Sequence, residues 1–342
     1  MSFITNIRSV AKYESKILVR SWFFRIFTLL AVVFLGFFNF AMMLMEDNFG
    51  LWFAKSVSSN IPYLNLLLLN TGQAVVAVFL SSEFLKRDKK LDTSEVFYVR
   101  PLSNAEYVIG KIWGNLRVFL LLNLLVLAIV LAFNFMASGI TVDWQAYGVY
   151  FLLISLPTLI FIIGLSIFLM LVLRNQALTF ILLLGYIGLT LFYIQDKFYY
   201  LFDYMVYNLP LFKSTIVGFS SLELILNHRA IYFFAGLGFI FFTIFLFKRL
   251  PNARRSHYPW LFLSLCMFLL AGTAGYRHVR SILREGEIRA LYTSINNKYV
   301  HEPKMAIDWY DISVEQKPET IRSVVGMKGT ALATSEIFTF CL

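Results

Sequence analysis

Seven apolar stretches alternate with short polar segments along most of this chain, each long enough to cross a hydrocarbon core of ~30 Å as a helix of about 20 residues. They run over Ile26–Met45, Tyr63–Leu80, Val118–Met136, Tyr147–Leu173, Ala177–Ile194, Ala230–Phe247 and Trp260–Tyr276. Ahead of the first, Phe3, Ile7, Val10, Ile17 and Leu18 recur at helical spacing against Arg8, Lys12, Glu14, Lys16 and Arg20. That spacing predicts an amphipathic helix in the headgroup plane, within residues 1–25. It is too charged for a signal-peptide centre, so the first span is expected to stay in the mature protein. Beyond the seventh stretch the pattern changes. Arg277–Tyr299 reads as a helix, and Trp309–Glu315, Thr320–Lys328 and Glu336–Leu342 alternate in the manner of strands. Phe338, Phe340 and Leu342 share one face with nothing left to cover it, and two or three strands make no stable sheet in water. Residues 277–342 are therefore expected to be an incomplete extracytoplasmic α+β tail, and the chain a truncated one.

Composition fixes the class. Of 342 residues 59% are hydrophobic and 15% charged, with a mean hydropathy of +0.70, which is outside the soluble range. The net charge of +10 comes from cations clustered beside apolar segments rather than from a basic domain, which excludes nucleic acid as the expected partner. Sixteen Lys and Arg fall in the loops of one face and four in those of the other. The charge bias places the amino terminus in the cytoplasm of a multi-pass inner-membrane protein. Cys266 and Cys341 fit neither a zinc spacing nor a disulfide framework.

One polar segment stands out. In Asp92–Lys111, DTSEVFYVRPLSNAEYVIGK, Asp92 with Glu95 and Ser103 with Glu106 form two successive capping boxes. Pro101 lacks an amide and turns Arg100 away from helical geometry, so a short helix from Asp92 should stop near Val99. A second helix should start at Ser103 and run through Lys111 into the third span. Glu83, followed by Lys86, Arg87, Asp88, Lys89 and Lys90, frames the same cytoplasmic surface.

These residues resemble the cytosolic segment between the second and third membrane helices of ABC-2 type transporter permeases, and the likeness covers roughly residues 1–250. It implies a six-helix bundle over residues 26–250, preceded by an elbow helix, with a partner ATPase gripping Glu83, Asp92, Glu95, Pro101, Ser103, Glu106 and Lys111. It also implies a homodimer or pseudo-dimer in the bilayer, fuelled by a separate cytoplasmic ATPase subunit. The aromatic segment Gln195–Arg229 is similar to the family's short external helices. The chain departs from the family in continuing through a seventh span at residues 260–276. More loosely, the tail resembles fusions to an M1-type aminopeptidase, so the rival expectation is a membrane anchor for an extracytoplasmic peptidase. No His-Glu-x-x-His occurs here.

Other chemistry is sparse. Asn65, Asn70 and Gln73 in the second span and Asn123 in the third suit interhelical hydrogen bonds or a conduit lining, and the bonds are favoured. No acidic residue falls mid-span, which argues against an ion-coupled carrier. No phosphate loop and no Gly-x-Ser-x-Gly elbow is present, so neither enzyme activity nor a cofactor is expected of the chain itself. The four histidines, His228, His257, His278 and His301, are expected at the surface, and Pro157 is expected to kink the fourth span. A passive scaffold without an ATPase partner is the third possibility.

Overall fold

The computed structural model describes residues 3–44, 57–82, 102–136, 141–194, 196–209, 211, 213–214, 218–219, 221–247, 258–300, 305–316, 320–332 and 334. Within them the chain is mostly helical: α1 Phe3–Arg20, α2 Trp22–Leu44, α3 Asn60–Ser82, α4 Asn104–Met136, α5 Trp144–Leu173, α6 Gln176–Ile194, α7 Leu222–Leu246 and α8 Tyr258–Tyr299. All but α1 are long and apolar enough to cross a membrane, which makes this a helical, multi-pass membrane protein by length and composition. The chain divides into two compact units, Met1–Arg280 and Ser281–Leu342.

In the first unit α3 and α5 are the most enclosed spans, and α2, α6 and α8 the least. Close packing depends on glycine. A Cβ on Gly236 of α7 would lie 2.7 Å from the Phe161 amide nitrogen of α5, and one on Gly164 would lie 2.7 Å from the Gly236 carbonyl oxygen. Backbones therefore touch, the closest approach that helices in lipid can make. α5 is interrupted by a π turn at Phe151–Ser155, followed at once by Pro157, which has no amide for the Leu153 carbonyl. α5 closes on Arg174 in left-handed geometry (φ 54°), and the side chain of Asn175 caps α6 by accepting from the Leu178 amide. Two residues suffice for that turn.

Two expectations about element limits are corrected. α7 starts at Leu222, eight residues ahead of the apolar run, so Arg229 is not a loop cation but a helical residue facing inward. The seventh span and the helix expected after it are one element, Tyr258–Tyr299, because no proline or cap separates Tyr276 from Arg280.

The second unit holds an antiparallel hairpin, β3 Met305–Gln316 with β4 Ile321–Ala331, irregular between Ile307 and Trp309. The remaining two strands, β1 Lys213–Ser214 and β2 Gly218–Phe219, form a minimal pair in the first unit. In the hairpin Tyr310, Ile312 and Val314 share a face with Met327, Val325 and Ile321, and all are exposed. The third expected strand, Glu336–Leu342, lies outside the described residues.

Candidate coupling site at the basic end of the bundle

Of the residues expected to couple to an ATPase, Ser103, Glu106 and Lys111 are described, while Glu83, Asp92, Glu95 and Pro101 lie outside the described residues. Ser103 and Glu106 make both bonds of a capping box. The Ser103 amide donates to Glu106 Oε2 (2.6 Å), and the Glu106 amide donates to Ser103 Oγ (3.2 Å). α4 then runs 33 residues, or about 50 Å, against a core of ~30 Å. With the apolar run beginning at Val118, its first four turns are left for the headgroup layer and the water beyond.

Those turns are gripped by α1. Gly110 and Gly114, four apart, open a groove into which α1 settles so closely that a Cβ on Gly114 would meet the Ala11 carbonyl oxygen at 2.8 Å and one on Gly110 would meet Val10 Cβ at 2.7 Å. Contacts advance in step along both helices. Asn6 Nδ2 donates to Glu106 Oε1 (2.9 Å), Lys111 Nζ pairs with Glu14 (3.0 Å), Ser15 Oγ donates to the Gly114 carbonyl (2.7 Å) and Arg117 Nε donates to Ser15 Oγ (2.5 Å). The two helices therefore run side by side in the same direction over three turns. Lys111 and Glu14 are 1% and 4% exposed, and Lys111 also lies 5.0 Å from the centre of the Tyr107 ring. On the far side Tyr107 stacks on Phe247 at the end of α7, and Asn104 Nδ2 donates to the Phe247 carbonyl (2.6 Å). Lys111 and Glu106 thus face neighbouring helices, where they bind the first turns of α4 to α1.

Deeper in the bundle the four expected amides are fully buried and hydrogen-bonded between helices. Asn65 exchanges two bonds with Asn39 of α2 (2.7 and 3.0 Å). Asn123 Nδ2 donates to Gln73 Oε1 (2.7 Å), while Asn123 Oδ1 accepts from Asn70 (3.3 Å) and from Ser155 Oγ (2.8 Å), joining α3, α4 and α5.

The opposite end holds groups whose roles the sequence left hidden. Residues 196–209 and 211 fold inward, burying Asp203, Tyr204, Met205, Val206 and Leu211. Phe198, Tyr199, Tyr200 and Val206 adopt positive φ (52°, 59°, 63° and 69°), which disfavours side chains with a Cβ. Helix side chains hold the carbonyls of this segment: His278 Nε2 that of Tyr199 (2.9 Å), His228 Nε2 that of Tyr200 (3.0 Å), Tyr232 that of Leu201, and Arg229 Nη1 that of Tyr204 (2.9 Å). Arg229 also donates through Nε to the Leu153 carbonyl (2.6 Å) and through Nη2 to Thr158 Oγ1 (2.8 Å). It thereby serves a carbonyl whose α-helical donor position, four residues on, is Pro157. His228 and His278 are fully buried with ring centres 5.0 Å apart, which corrects the surface placement expected for both. Among the described residues no third His, Cys, Asp or Glu joins them in a metal-binding group.

Lys213 closes this end with a 2.7 Å ion pair to Asp143, the residue whose side chain accepts from the Ala146 amide at the start of α5. Burial alone would raise the Asp143 carboxyl, but the Lys213 ammonium and the Ala146 amide outweigh it and hold the group below the usual carboxylate range. Burial pushes the Asp203 carboxyl the other way, above that range, against the amides of Asn208 and Tyr207. Ser59 Oγ donates to the Lys213 carbonyl (2.7 Å) and the Lys213 amide to Tyr150 (3.0 Å), so connections that alternate along the chain meet at one end.

Compared with protein-family models and with curated proteins, the sequence matches none.

Proposed function

We propose that this chain is the membrane-spanning permease subunit of an ABC-2-like transporter, moving its cargo with ATP hydrolysed by a separate cytoplasmic subunit. The observation that carries the proposal is the α1–α4 clamp. A capped helix starts beside the polar Asp92–Arg100 segment, is braced by a buried ion pair, and continues unbroken into the third span. In this mechanism Glu83, Asp92 and Glu95 meet the ATPase, and Glu106 and Lys111 keep α1 and α4 moving as one body.

The test begins with purification of the intact protein from its native membrane and a search for a co-purifying subunit bearing a Gly-x-x-x-x-Gly-Lys loop. In the reconstituted complex, Tyr107→Pro removes the amide that bonds the Ser103 carbonyl (3.1 Å) and breaks the first turn of α4. ATP hydrolysis should then lose its dependence on the membrane subunit, while Tyr107→Ala largely keeps it. A Tyr107→Pro complex with normal coupling refutes the mechanism, and absence of any nucleotide-binding subunit refutes the assignment.

A second reading, an anchor for an extracytoplasmic peptidase, draws support from the hairpin β3–β4. Its exposed apolar face has too little of its own to pack against in water. The intact mass of the native protein, and a search of its full sequence for His-Glu-x-x-His, separate the two.

A further inference from the structure

The face of α1 turned away from α4 carries a charge pattern that the clamp does not use. Glu14 is the helix's only acidic residue, and it is buried against Lys111. What remains outside is Arg8, Lys12, Lys16 and Arg20, four exposed cations at a spacing of four with no anion among them. Between and beside them stand large apolar side chains that the bundle leaves uncovered, with Ile4 75%, Tyr13 58%, Val19 49% and Trp22 75% exposed. Trp113, on the stretch of α4 that α1 grips, is also half exposed.

We infer that this outer face of α1 is a binding surface for anionic phospholipid headgroups of the leaflet at the basic end of the bundle. Cations alone would fit any acidic partner. Cations interleaved with exposed Ile, Tyr, Val and Trp fit the boundary where phosphates meet acyl chains, because the long basic side chains reach outward while their stems and the apolar residues stay in the hydrocarbon. Trp22 and Trp113 add the indole rings that favour that layer. The glycine-lined clamp and the Glu14–Lys111 pair fix the helix, so the four cations form a pre-ordered row with little ordering cost on binding. The inference rests on the placement of α1 beside a membrane span and is independent of any ATPase partner.

The test uses the full chain in phosphatidylcholine nanodiscs doped with spin-labelled phosphatidylglycerol, and reads the association of the labelled lipid relative to spin-labelled phosphatidylcholine. Each cation near an anionic surface multiplies association by about five. Arg8→Gln/Lys12→Gln/Lys16→Gln/Arg20→Gln should therefore lower the anionic preference at the strongest site by several hundredfold at low salt, with losses of about fivefold for the single Lys12→Gln and Lys16→Gln variants. A charge-matched control, Arg277→Gln/Arg280→Gln/Arg284→Gln/Arg289→Gln, should leave the preference at that site unchanged. The inference is overturned if the wild-type chain shows no anionic preference, or if the control variant loses as much as the α1 variant. It is equally overturned if the α1 variant keeps its lipid preference but no longer retains a co-purifying acidic protein, since the row would then be a protein contact.

Discussion

Replacing one member of the Glu14–Lys111 pair should release α1 from α4, and replacing both should not. The ions are 3.0 Å apart and 1% and 4% exposed, so removing either takes this ion pair from a charge that stays buried. Removing one partner of such a pair costs about 3–5 kcal/mol, whereas exchanging both for apolar side chains of similar volume is often close to neutral. Lys111→Met also loses the contact with the Tyr107 ring, worth about 1 kcal/mol. Detachment can be read in a background where Cys266 and Cys341 are replaced by serine and Leu18, buried on the inner face of α1, by cysteine. Its thiol reacts with a bulky maleimide only when α1 lifts away. Glu14→Leu and Lys111→Met should each raise the reaction rate by between about a hundredfold and a few thousandfold, and the double variant should stay within about tenfold of the parent. Single variants within twofold of the parent, or a double variant as fast as the product of the two singles, would refute the claim that this pair holds the clamp.

At the other end of the bundle, Arg229→Lys keeps the charge but cannot supply the separate donors that reach Leu153, Tyr204 and Thr158, and should cost about 2–4 kcal/mol in detergent unfolding. Adding Pro157→Ala returns an amide to the Leu153 carbonyl and should recover part of that loss; a purely additive double variant would show that the arginine does not serve the proline gap. Asp143, held below the usual carboxylate range in the folded protein, contributes stability that is fully present above its unfolded pKa of about 4 and is lost as pH falls through its lower folded value. The melting temperature of the wild type should therefore fall more steeply than that of Asp143→Asn between about pH 5 and pH 2, and parallel curves would sink the assignment.

What the chain discloses by itself follows from how local each cause is. Spans are written as apolar runs, and the start of α4 as Ser103 with Glu106, because a run and a cap act within a few residues. Asn65, Asn70, Gln73 and Asn123 are conspicuous because an amide in an apolar helix must find a partner, although the sequence does not say that Asn39 and Ser155 are among those partners. Arg229 was masked by the opposite circumstance. Glu223, Asn227, His228 and Arg229 make the first two turns of α7 polar, and His228 and Arg229 are buried where residues 196–209 fold against them. The signal for the α1–α4 clamp is present as Gly110 and Gly114 four apart, but the partner face, Val10, Ala11 and Glu14, is set by tertiary packing.

The polar network bears directly on what a permease reading demands. A conduit lined by Asn70, Gln73 and Asn123 would present side-chain amides to a cargo or to water. Here Asn123 spends its donors on Gln73 and the Phe119 carbonyl and its oxygen on Asn70 and Ser155, with all of these side chains fully buried. The amides therefore hold α3, α4 and α5 together in this conformation, and a path between those helices requires the bonds to be exchanged for others. Four such interhelical bonds, at about 0.6 kcal/mol each, amount to roughly 2.5 kcal/mol. That is within the few kcal/mol by which two conformations of one protein commonly differ. In the proposed permease, a network of this strength would close the bundle at rest without preventing it from opening. By contrast the backbone contact of Gly164 with Gly236 leaves no room for a side chain between α5 and α7. In the proposed permease, an opening that left this contact intact would separate α4 from the α5–α7 pair, and α4 is the helix whose first turns the clamp holds.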